Sequence, residues 1–305
     1  MRQPLLNEKE ILQIRSHIKA KKRQSSHHRE ISHQNRGDVR SRHNGHGMDY
    51  EESRLFQQGD DPRYMNWQHT ARTGQNYIKV YREERQPGVF ILIDKRSSMR
   101  FGTKQRLKMT QAVIAGALIA FNAQENNHSL AGVLMDDDLV WIKENKTAHS
   151  AEQFISQAVI APSPVVEVSE RPPLDDEPSF EKTLKMLNEI LITGSKLYIV
   201  SDFSNFNDQS KTHLLKLTTE HEVLAYHIID PAEKQLPNMG EITLKAKIKG
   251  IEQQFDSRSK NIQTKYSLTS EEYFASIQKL ITDLAIPYKQ ILTTDNLIDK
   301  KSPFI

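Results

Sequence analysis

Residues 89–99 read VFILIDKRSSM. The five apolar residues from Val89 to Ile93 form an unbroken run, and the acid Asp94 follows them directly. A run of this kind, without polar alternation, is typical of a strand that is buried on both faces of a parallel sheet. The stretch therefore predicts a central parallel strand with Asp94 at its carboxyl end.

Strand and helix patterns alternate from this run to the end of the chain. The sequence predicts helices near residues 104–125, 150–160, 179–192, 208–219 and 270–284, and strands near residues 130–135, 139–142, 197–202, 223–229 and 288–292. Such alternation is typical of an α/β fold. We therefore expect a doubly wound, mostly parallel sheet of the Rossmann type with helices on both faces, formed by residues 87–305.

A basic arm is predicted at the N-terminal end, over residues 1–47. It contains 11 Lys and Arg against 4 Asp and Glu, and six of the 12 His residues of the chain. Residues 5–23 show a helical pattern, with apolar residues at one-turn spacing. Residues 24–47 show no period, so we expect a loop or partly disordered chain there.

A small helix-plus-strand segment is predicted between the arm and the α/β domain, over residues 48–86. Asp61 suits the N-cap of a helix and Pro62 its first position. Gly74 suits the position just past the end of that helix. Residues 77–81 alternate like a half-exposed strand.

Composition excludes several classes of protein. The chain of 305 residues contains no cysteine, which excludes disulfides, thiolate metal sites and cysteine nucleophiles and is typical of a reducing cytoplasm. No apolar stretch approaches the roughly 18 residues of a membrane-spanning helix. The first residues lack the apolar core of a secretory signal. We therefore expect a cytoplasmic protein without a transmembrane segment.

Three predicted strands end in acids, at Asp94, Asp202 and Asp230. In an open parallel sheet, ligands bind outside the carboxyl ends of the strands, where the strand order reverses. Carboxylates together with the hydroxyls of nearby serines suit a hard cation such as Mg²⁺. Solvated turn acids are the alternative, and the residues alone leave both open.

The motifs also resemble known families. The strand followed by a loop at Asp94–Ser98, with a later strand ending at Asp202, resembles a von Willebrand factor A domain. A wider set of motifs over roughly residues 45–298 resembles the bacterial family called domain of unknown function 58. That set comprises Gly59-Asp60-Asp61, Arg63, Trp67, Ala71-Arg72, Asp94, Ser98-Met99, Phe101-Gly102, Lys108, Ser201-Asp202-Phe203 and Asp230-Pro231-Ala232-Glu233.

The resemblance implies a function in protein–protein interaction. Members of the family are typically encoded beside MoxR-type AAA+ ATPases and are thought to act with them in the maturation or remodelling of other proteins. It therefore implies a non-enzymatic adaptor that docks through the loops at the strand ends.

The von Willebrand A resemblance also implies a metal-ion-dependent adhesion site. Carried over to this chain, its ligands are Asp94, Ser98, Ser179 and Asp202, and Arg96 stands where the site normally has a hydroxyl. A guanidinium cannot coordinate a cation, and it can instead pair with one of the two acids. We expect a degenerate, metal-free site in which Arg96 receives a partner's carboxylate, with bound Mg²⁺ as the alternative.

Other functions are kept as alternatives. A metal-dependent hydrolase of phosphate esters or nucleic acid would use Asp94 and Asp202 as metal ligands. A nucleic-acid-tethering module would use the basic arm, although no aromatic residues accompany its lysines and nucleic acid is not the expected partner. We do not expect an enzyme, because the chain has no Walker A sequence, no G-x-G-x-x-G after the first strand and no G-x-S-x-G elbow.

Arg63 and Arg72 are further candidates for contact with an acidic partner. The alternative, which we favour, is that they pair with local acids such as Asp60 while Tyr64 and Trp67 pack the helix against the α/β domain.

Overall fold

The structure is a computed structural model that describes residues 4–33, 49–57, 59–82, 87–162, 177–245 and 252–299. The chain divides into two compact units, a larger one of residues 1–26 and 87–305 and a smaller one of residues 27–86. The expected arm is thus divided between the units, and its residues 1–3 and 34–47 lie outside the described residues.

The secondary structure is as follows. The strands are β1 (Asp49–Leu55), β2 (Tyr77–Arg82), β3 (Val89–Asp94), β4 (Leu130–Met135), β5 (Leu139–Asn145), β6 (Lys196–Ser201), β7 (Glu222–Ile229), β8 (Glu241–Lys245), β9 (Glu252–Asp256) and β10 (Tyr288–Leu292). The helices are α1 (Glu8–His33), α2 (Trp67–Thr73), α3 (Lys108–Glu125), α4 (Ser150–Ala158), α5 (Phe180–Ile190), α6 (Asp208–Glu220), α7 (Pro231–Lys234) and α8 (Lys260–Thr282). No helix in these ranges has the length and hydropathy of a membrane span.

A six-stranded sheet forms the centre of the larger unit, in the order β10-β7-β6-β3-β4-β5. Its pairings are parallel except that of β4 with β5. The predicted α/β class with a mostly parallel sheet is therefore confirmed. Counted along the chain, the order is 3-2-1-4-5-6, so the winding reverses between β3 and β6.

Helices cover both faces of this sheet. Successive residues of a strand point to opposite faces, and β3 is buried throughout. Ile91 and Ile93 pack in the core beneath α1, α3 and α4. Phe90 and Leu92 pack in the core beneath α5, α6 and α8. The unbroken apolar run of β3 is thus explained by two separate cores.

Helix α1 packs on the first of these cores. Leu6, Ile14 and Ile18 are each at most 2% exposed, and the Leu5 N–H donates to the Val159 carbonyl at 2.8 Å. The helix predicted near residues 5–23 is therefore present, but the prediction of a loop was wrong for residues 24–33, which continue it. A helix can continue through polar residues without an apolar stripe, so the sequence of residues 24–33 did not indicate that the helix extends to His33.

The smaller unit pairs β1 with β2 in an antiparallel hairpin. The single helix predicted from Pro62 was wrong, because a 3₁₀ turn at Pro62–Tyr64 and helix α2 are separated at Met65, which bridges to Ile78. The predicted end is correct, since Gly74 has a left-handed φ of 71°. Trp67 is 68% exposed, and its expected packing against the α/β domain stays a prediction.

Because one face of α1 packs on the core, we expect two substitutions half a helical turn apart to differ in their effect on the free energy of unfolding. Ile14→Ala removes a side chain that is 0% exposed, and we expect it to lower the free energy of unfolding by about 2–5 kcal/mol. Leu12→Ala, at a position 60% exposed, is the control and should change it by about 0.5 kcal/mol or less. Urea denaturation measures both, and equal losses would contradict the packing of this helix.

Candidate functional site

The three strand-end acids lie where β3, β6 and β7 end, side by side in the sheet. Asp94 and Asp230 are 0% exposed and Asp202 is 6% exposed. The register places Ile93 beside Val200, so Asp94 and Asp202 leave neighbouring strands at the same edge. We call the loops that follow these three strands the strand-end face.

Arg96 binds Asp94 through a two-pronged contact. Its Nε donates to Asp94 Oδ1 at 3.0 Å and its Nη2 donates to Oδ2 at 2.7 Å. The backbone N–H of Arg96 and the hydroxyl of Ser201 donate to the same carboxylate. Burial would lower the pKa of Arg96, but Asp94 and then Asp202 hold it above its usual value. The fork expected to receive a partner's carboxylate is therefore already occupied, and Arg96 is only 4% exposed.

Lys108 is the counter-charge of Asp202. Its Nζ lies 2.8 Å from Asp202 Oδ2 and 2.6 Å from Glu233 Oε1. Burial would raise the pKa of Asp202, but the Lys108 ammonium holds it down at about 2. Burial would also lower the pKa of Lys108, but the two carboxylates hold it above its usual value. Lysine 108 therefore stays protonated between two acids.

Two features of the sequence point to this cluster, although the sequence analysis did not assign them to the site. Lys108 stands at the start of α3, a helix that is otherwise almost entirely apolar and buried. Glu233 stands three residues after Asp230, where it completes a capping box. A charged residue in a buried helix needs a partner, so Lys108 could have been included on that ground.

Asp230, the third acid, holds the surrounding loops together. It accepts from the Thr103 N–H at 3.0 Å and from the Thr293 hydroxyl at 2.7 Å. It also caps α7 by accepting from the Ala232 N–H at 3.0 Å. Burial would raise the pKa of Asp230, but these hydrogen bonds lower it. Asp230 therefore fixes the loop that carries Phe101.

The two serines implied as ligands have different surroundings. Ser98 accepts a hydrogen bond from the Ser204 hydroxyl at 2.8 Å, so it lies beside the Asp202 loop. Ser179 is the N-cap of α5, where its hydroxyl accepts from the Lys182 N–H at 3.1 Å. Ser179, implied as a metal ligand, thus serves to start helix α5.

These donors, as arranged, do not fit a divalent cation. Each of the two carboxylates already has a basic side chain within 2.8 Å, Arg96 on Asp94 and Lys108 on Asp202. A metal ion placed between them would meet two fixed positive charges at close range. Within the described ranges no group of three or more His, Asp or Glu is arranged to hold a metal.

The candidate arginines of the smaller unit lie on its surface. Arg63 pairs with Asp61, with Nη2 2.6 Å from Oδ2, while Asp60 pairs with Arg54 at 2.7 Å. The expected local pairing of Arg63 thus occurs, with Asp61 in place of Asp60. Arg72 is exposed in the last turn of α2.

A cavity of about 320 Å³ opens above the Lys108 cluster, and we call it the strand-end pocket. It is lined by Ser98, Phe101, Lys108, Asp202, Ser204, His227, Glu233, Tyr273 and Phe274. His227 Nδ1 lies 2.6 Å from the Tyr288 hydroxyl, and burial lowers the pKa of His227 to about 3. The pocket therefore combines aromatic walls, one neutral histidine and three charged groups.

Comparison with known proteins places the chain in a family. A family model described as "Protein of unknown function DUF58" matches residues 52–273. The chain belongs to this family. The family expected from the sequence motifs is therefore confirmed.

Relatives of this DUF58 protein occur in mycobacteria. The uncharacterised proteins Rv1480 of Mycobacterium tuberculosis and Mb1516 of Mycobacterium bovis are each 28% identical to it over 211 residues, which is 69% of this chain. The match spans 64% of the length of these relatives.

Two solved structures share similarity with this DUF58 protein at low identity. BatB from Bacteroides thetaiotaomicron is 10% identical, with a TM-score of 0.44 over 72% of this chain and 97% of that one. An aerotolerance-related membrane protein from Bacteroides fragilis is 11% identical, with a TM-score of 0.43 over 69% of this chain and 92% of that one.

We expect removal of the Arg96 guanidinium to lower the stability of this DUF58 protein strongly. Arg96→Met leaves Asp94 buried without its counter-charge, and we expect the free energy of unfolding to fall by about 3–5 kcal/mol. The double variant Asp94→Asn/Arg96→Met removes both charges and should lose less than Arg96→Met alone. Urea denaturation measures the difference.

A matched control exists in the same chain. Arg258 makes the same two-pronged contact with Asp256 at the same spacing, but on the surface, so Arg258→Met should leave the denaturation midpoint nearly unchanged. Millimolar Mg²⁺ should not shift the wild-type midpoint, because both carboxylates already have counter-charges. A Mg²⁺-dependent rise in stability, or equal losses in the two arginine variants, would contradict the metal-free arrangement.

The buried histidine predicts a pH dependence of stability. Since the pKa of His227 is about 3 in the folded protein against 6.5 as the ordinary value, the unfolded chain takes up a proton that the folded one excludes. The contribution of neutral His227 to the free energy of unfolding is complete above pH 6.5. It is lost as the pH falls towards 3, at about 1.4 kcal/mol per pH unit. We expect His227→Gln to reduce the slope of the free energy of unfolding against pH, measured by urea denaturation between pH 4 and 6, by the amount that corresponds to about one proton. The variant His128→Gln, at an exposed position, should leave the slope unchanged. Identical slopes in both variants would rule out the effect.

Proposed function

We propose that this protein is a non-enzymatic protein–protein interaction adaptor that docks through its strand-end face. The observation that carries the proposal is that Arg96 and Lys108 neutralise the buried acids of β3 and β6 from within the chain. The face is thereby assembled in advance, and a pocket with an aromatic rim remains open beside it. Preassembled clefts of this kind favour recognition of a partner.

The state of the polar groups in the pocket supports binding in preference to turnover. A hydrolytic nucleophile needs a neighbouring base that takes its proton. The hydroxyls of Ser98 and Ser204 bond to each other, His227 bonds to Tyr288, and Lys108 is held protonated. These contacts leave no activated nucleophile among the described residues of the pocket.

We infer that the larger unit has a von Willebrand A-like variant of the doubly wound fold. The strand order and the single antiparallel edge strand β5 support this inference. So does the position of the face, since Asp94 and Asp202 follow the two strands between which the winding reverses. In this variant Arg96 acts as a positioning residue that organises the face, in place of a bound metal ion.

We propose a MoxR-type AAA+ ATPase as the partner, with protein maturation or remodelling as the process. The resemblance of the motifs to the family supports the choice of partner. Exposed aromatic side chains at the rim of the pocket support the choice of surface, because Phe101 is 43% and Tyr273 48% exposed. Exposed aromatic residues beside a pocket are typical anchors of protein interfaces.

The adaptor proposal predicts that the rim controls binding of the ATPase. We expect the double variant Phe101→Ala/Tyr273→Ala to weaken binding of a purified MoxR-type ATPase roughly tenfold or more, measured by biolayer interferometry with the full chain immobilised. Leu268→Ala is the control, because Leu268 is 57% exposed on the same helix as Tyr273 but does not line the pocket. Undiminished binding by the rim variant would exclude this face, and no binding by the wild type would exclude this partner.

A further inference from the structure

The charges that line the strand-end pocket do not balance. Two carboxylates, Asp202 and Glu233, face one ammonium, Lys108. His227 adds no positive charge near neutral pH, because burial lowers its pKa to about 3. The floor of the pocket therefore carries one net negative charge.

The charged groups next to the pocket do not restore the balance. Arg96 is committed to Asp94. On α7, the Lys234 ammonium bonds to the neutral side-chain oxygen of Gln290 at 2.7 Å and lies 6.0 Å from the centre of the Phe274 ring, so it keeps a positive charge, which one further carboxylate next to the pocket offsets. Glu177, on the other side, adds a carboxylate that accepts from the Ser97 N–H at 3.0 Å. The surroundings thus keep the excess of negative charge.

Glu233 is the member of the cluster that solvent and a ligand can reach. Its side chain is 28% exposed, whereas those of Lys108 and Asp202 are 3% and 6% exposed. Burial raises the pKa of Glu233 in spite of Lys108, so this carboxylate is incompletely compensated. A second cation beside it would complete the compensation.

The walls above Glu233 also favour a cation. Phe101 and Tyr273 stand partly exposed at the rim, and the Lys108 ammonium already lies 6.0 Å from the centre of the Phe101 ring. Aromatic faces attract ammonium and guanidinium groups. The same rings can pack against the methylene stem of a long basic side chain.

We propose that the strand-end pocket binds one lysine or arginine side chain of the partner protein. The head group pairs with Glu233 above Lys108, and the stem lies between Phe101 and Tyr273. The cavity of about 320 Å³ is at the lower end of the roughly 300–1,000 Å³ typical of ligand pockets, which suits a single side chain.

This inference rests on the proposed function. It changes the group that the face is expected to recognise from a negatively charged one to a positively charged one. A metal-bearing adhesion site would attract an acidic residue of its partner. Here an incoming carboxylate would lie against Asp202 and Glu233 and would be repelled. The partner is therefore expected to present a basic residue to this pocket.

Capped amino acids test the inference without the ATPase. We expect N-acetyl-arginine amide and N-acetyl-lysine amide to give saturation-transfer NMR signals with the full chain, and N-acetyl-norleucine amide and N-acetyl-glutamate amide to give none. Glu233→Gln should weaken the basic probes roughly tenfold or more, because one charged pair is lost. Glutamine can still accept the capping hydrogen bond from the Asp230 N–H, so this variant should fold.

The matched control is Glu272→Gln, next to Tyr273 on α8 but exposed and outside the pocket, and it should bind the basic probes as the wild type does. Binding of the glutamate probe as strong as that of the basic probes, no binding of any probe, or equal effects of the two variants would each overturn the inference. Free spermidine that binds like the basic probes, with ATPase binding unaffected by Glu233→Gln, would overturn the assignment to a partner's side chain.

The outcomes separate this inference from the adaptor proposal. If the basic probes bind and the ATPase does not, the adaptor proposal fails and the chemistry of the pocket stands. If the ATPase binds through Phe101 and Tyr273 while the probes show no preference for positive charge, the adaptor proposal stands and this inference fails.

Discussion

Two carboxylates are buried side by side where the central strands β3 and β6 end, and a buried negative charge is costly unless a positive partner lies beside it. Arg96 and Lys108 meet that requirement from different places in the chain, one two residues beyond Asp94 and the other at the first turn of α3. These contacts join the loop after β3, the start of α3 and, through Glu233, helix α7. The strand-end pocket is the space that this arrangement leaves open.

The strands were predictable because their signal is local. A continuous apolar run marks a strand buried on two faces, and β3, β4 and β10 lie at their predicted residues. The ends of helices were harder to predict. Helix α8 begins at Lys260, ten residues before the start that its apolar pattern predicted. The first turns were missed because they are polar and contain no fully buried residue before Ser270. The unpredicted strand β1 is a polar strand of a two-stranded hairpin, and its sequence lacks the apolar alternation that marks a half-buried strand.

The site was predictable only in part, for a related reason. The approach of Asp94 to Asp202 follows from the parallel sheet, and the pairing of Arg96 with Asp94 follows from a spacing of two residues. The pairs that Lys108 forms join residues 94 and 125 positions apart. Nothing in the local sequence connects such residues, and only the completed fold brings them together. When the pairs of Lys108 with Asp202 and Glu233 are included, the face is expected to recognise a basic group and not an acidic one.

Residues 8–26 of helix α1 belong to the larger unit, although residues 27–86, which form the smaller unit, separate them from the rest of that unit. They are translated before the groups that cover them, because Val159, which accepts from the N–H of the preceding Leu5, and the core residues packed around Ile14 and Ile18 all come later in the chain. The apolar stripe of Ile14 and Ile18 therefore remains uncovered until those residues have been made, a period in which chaperones and premature association compete with correct docking. Docking of this helical stretch is thus expected to be a late event in folding of the larger unit.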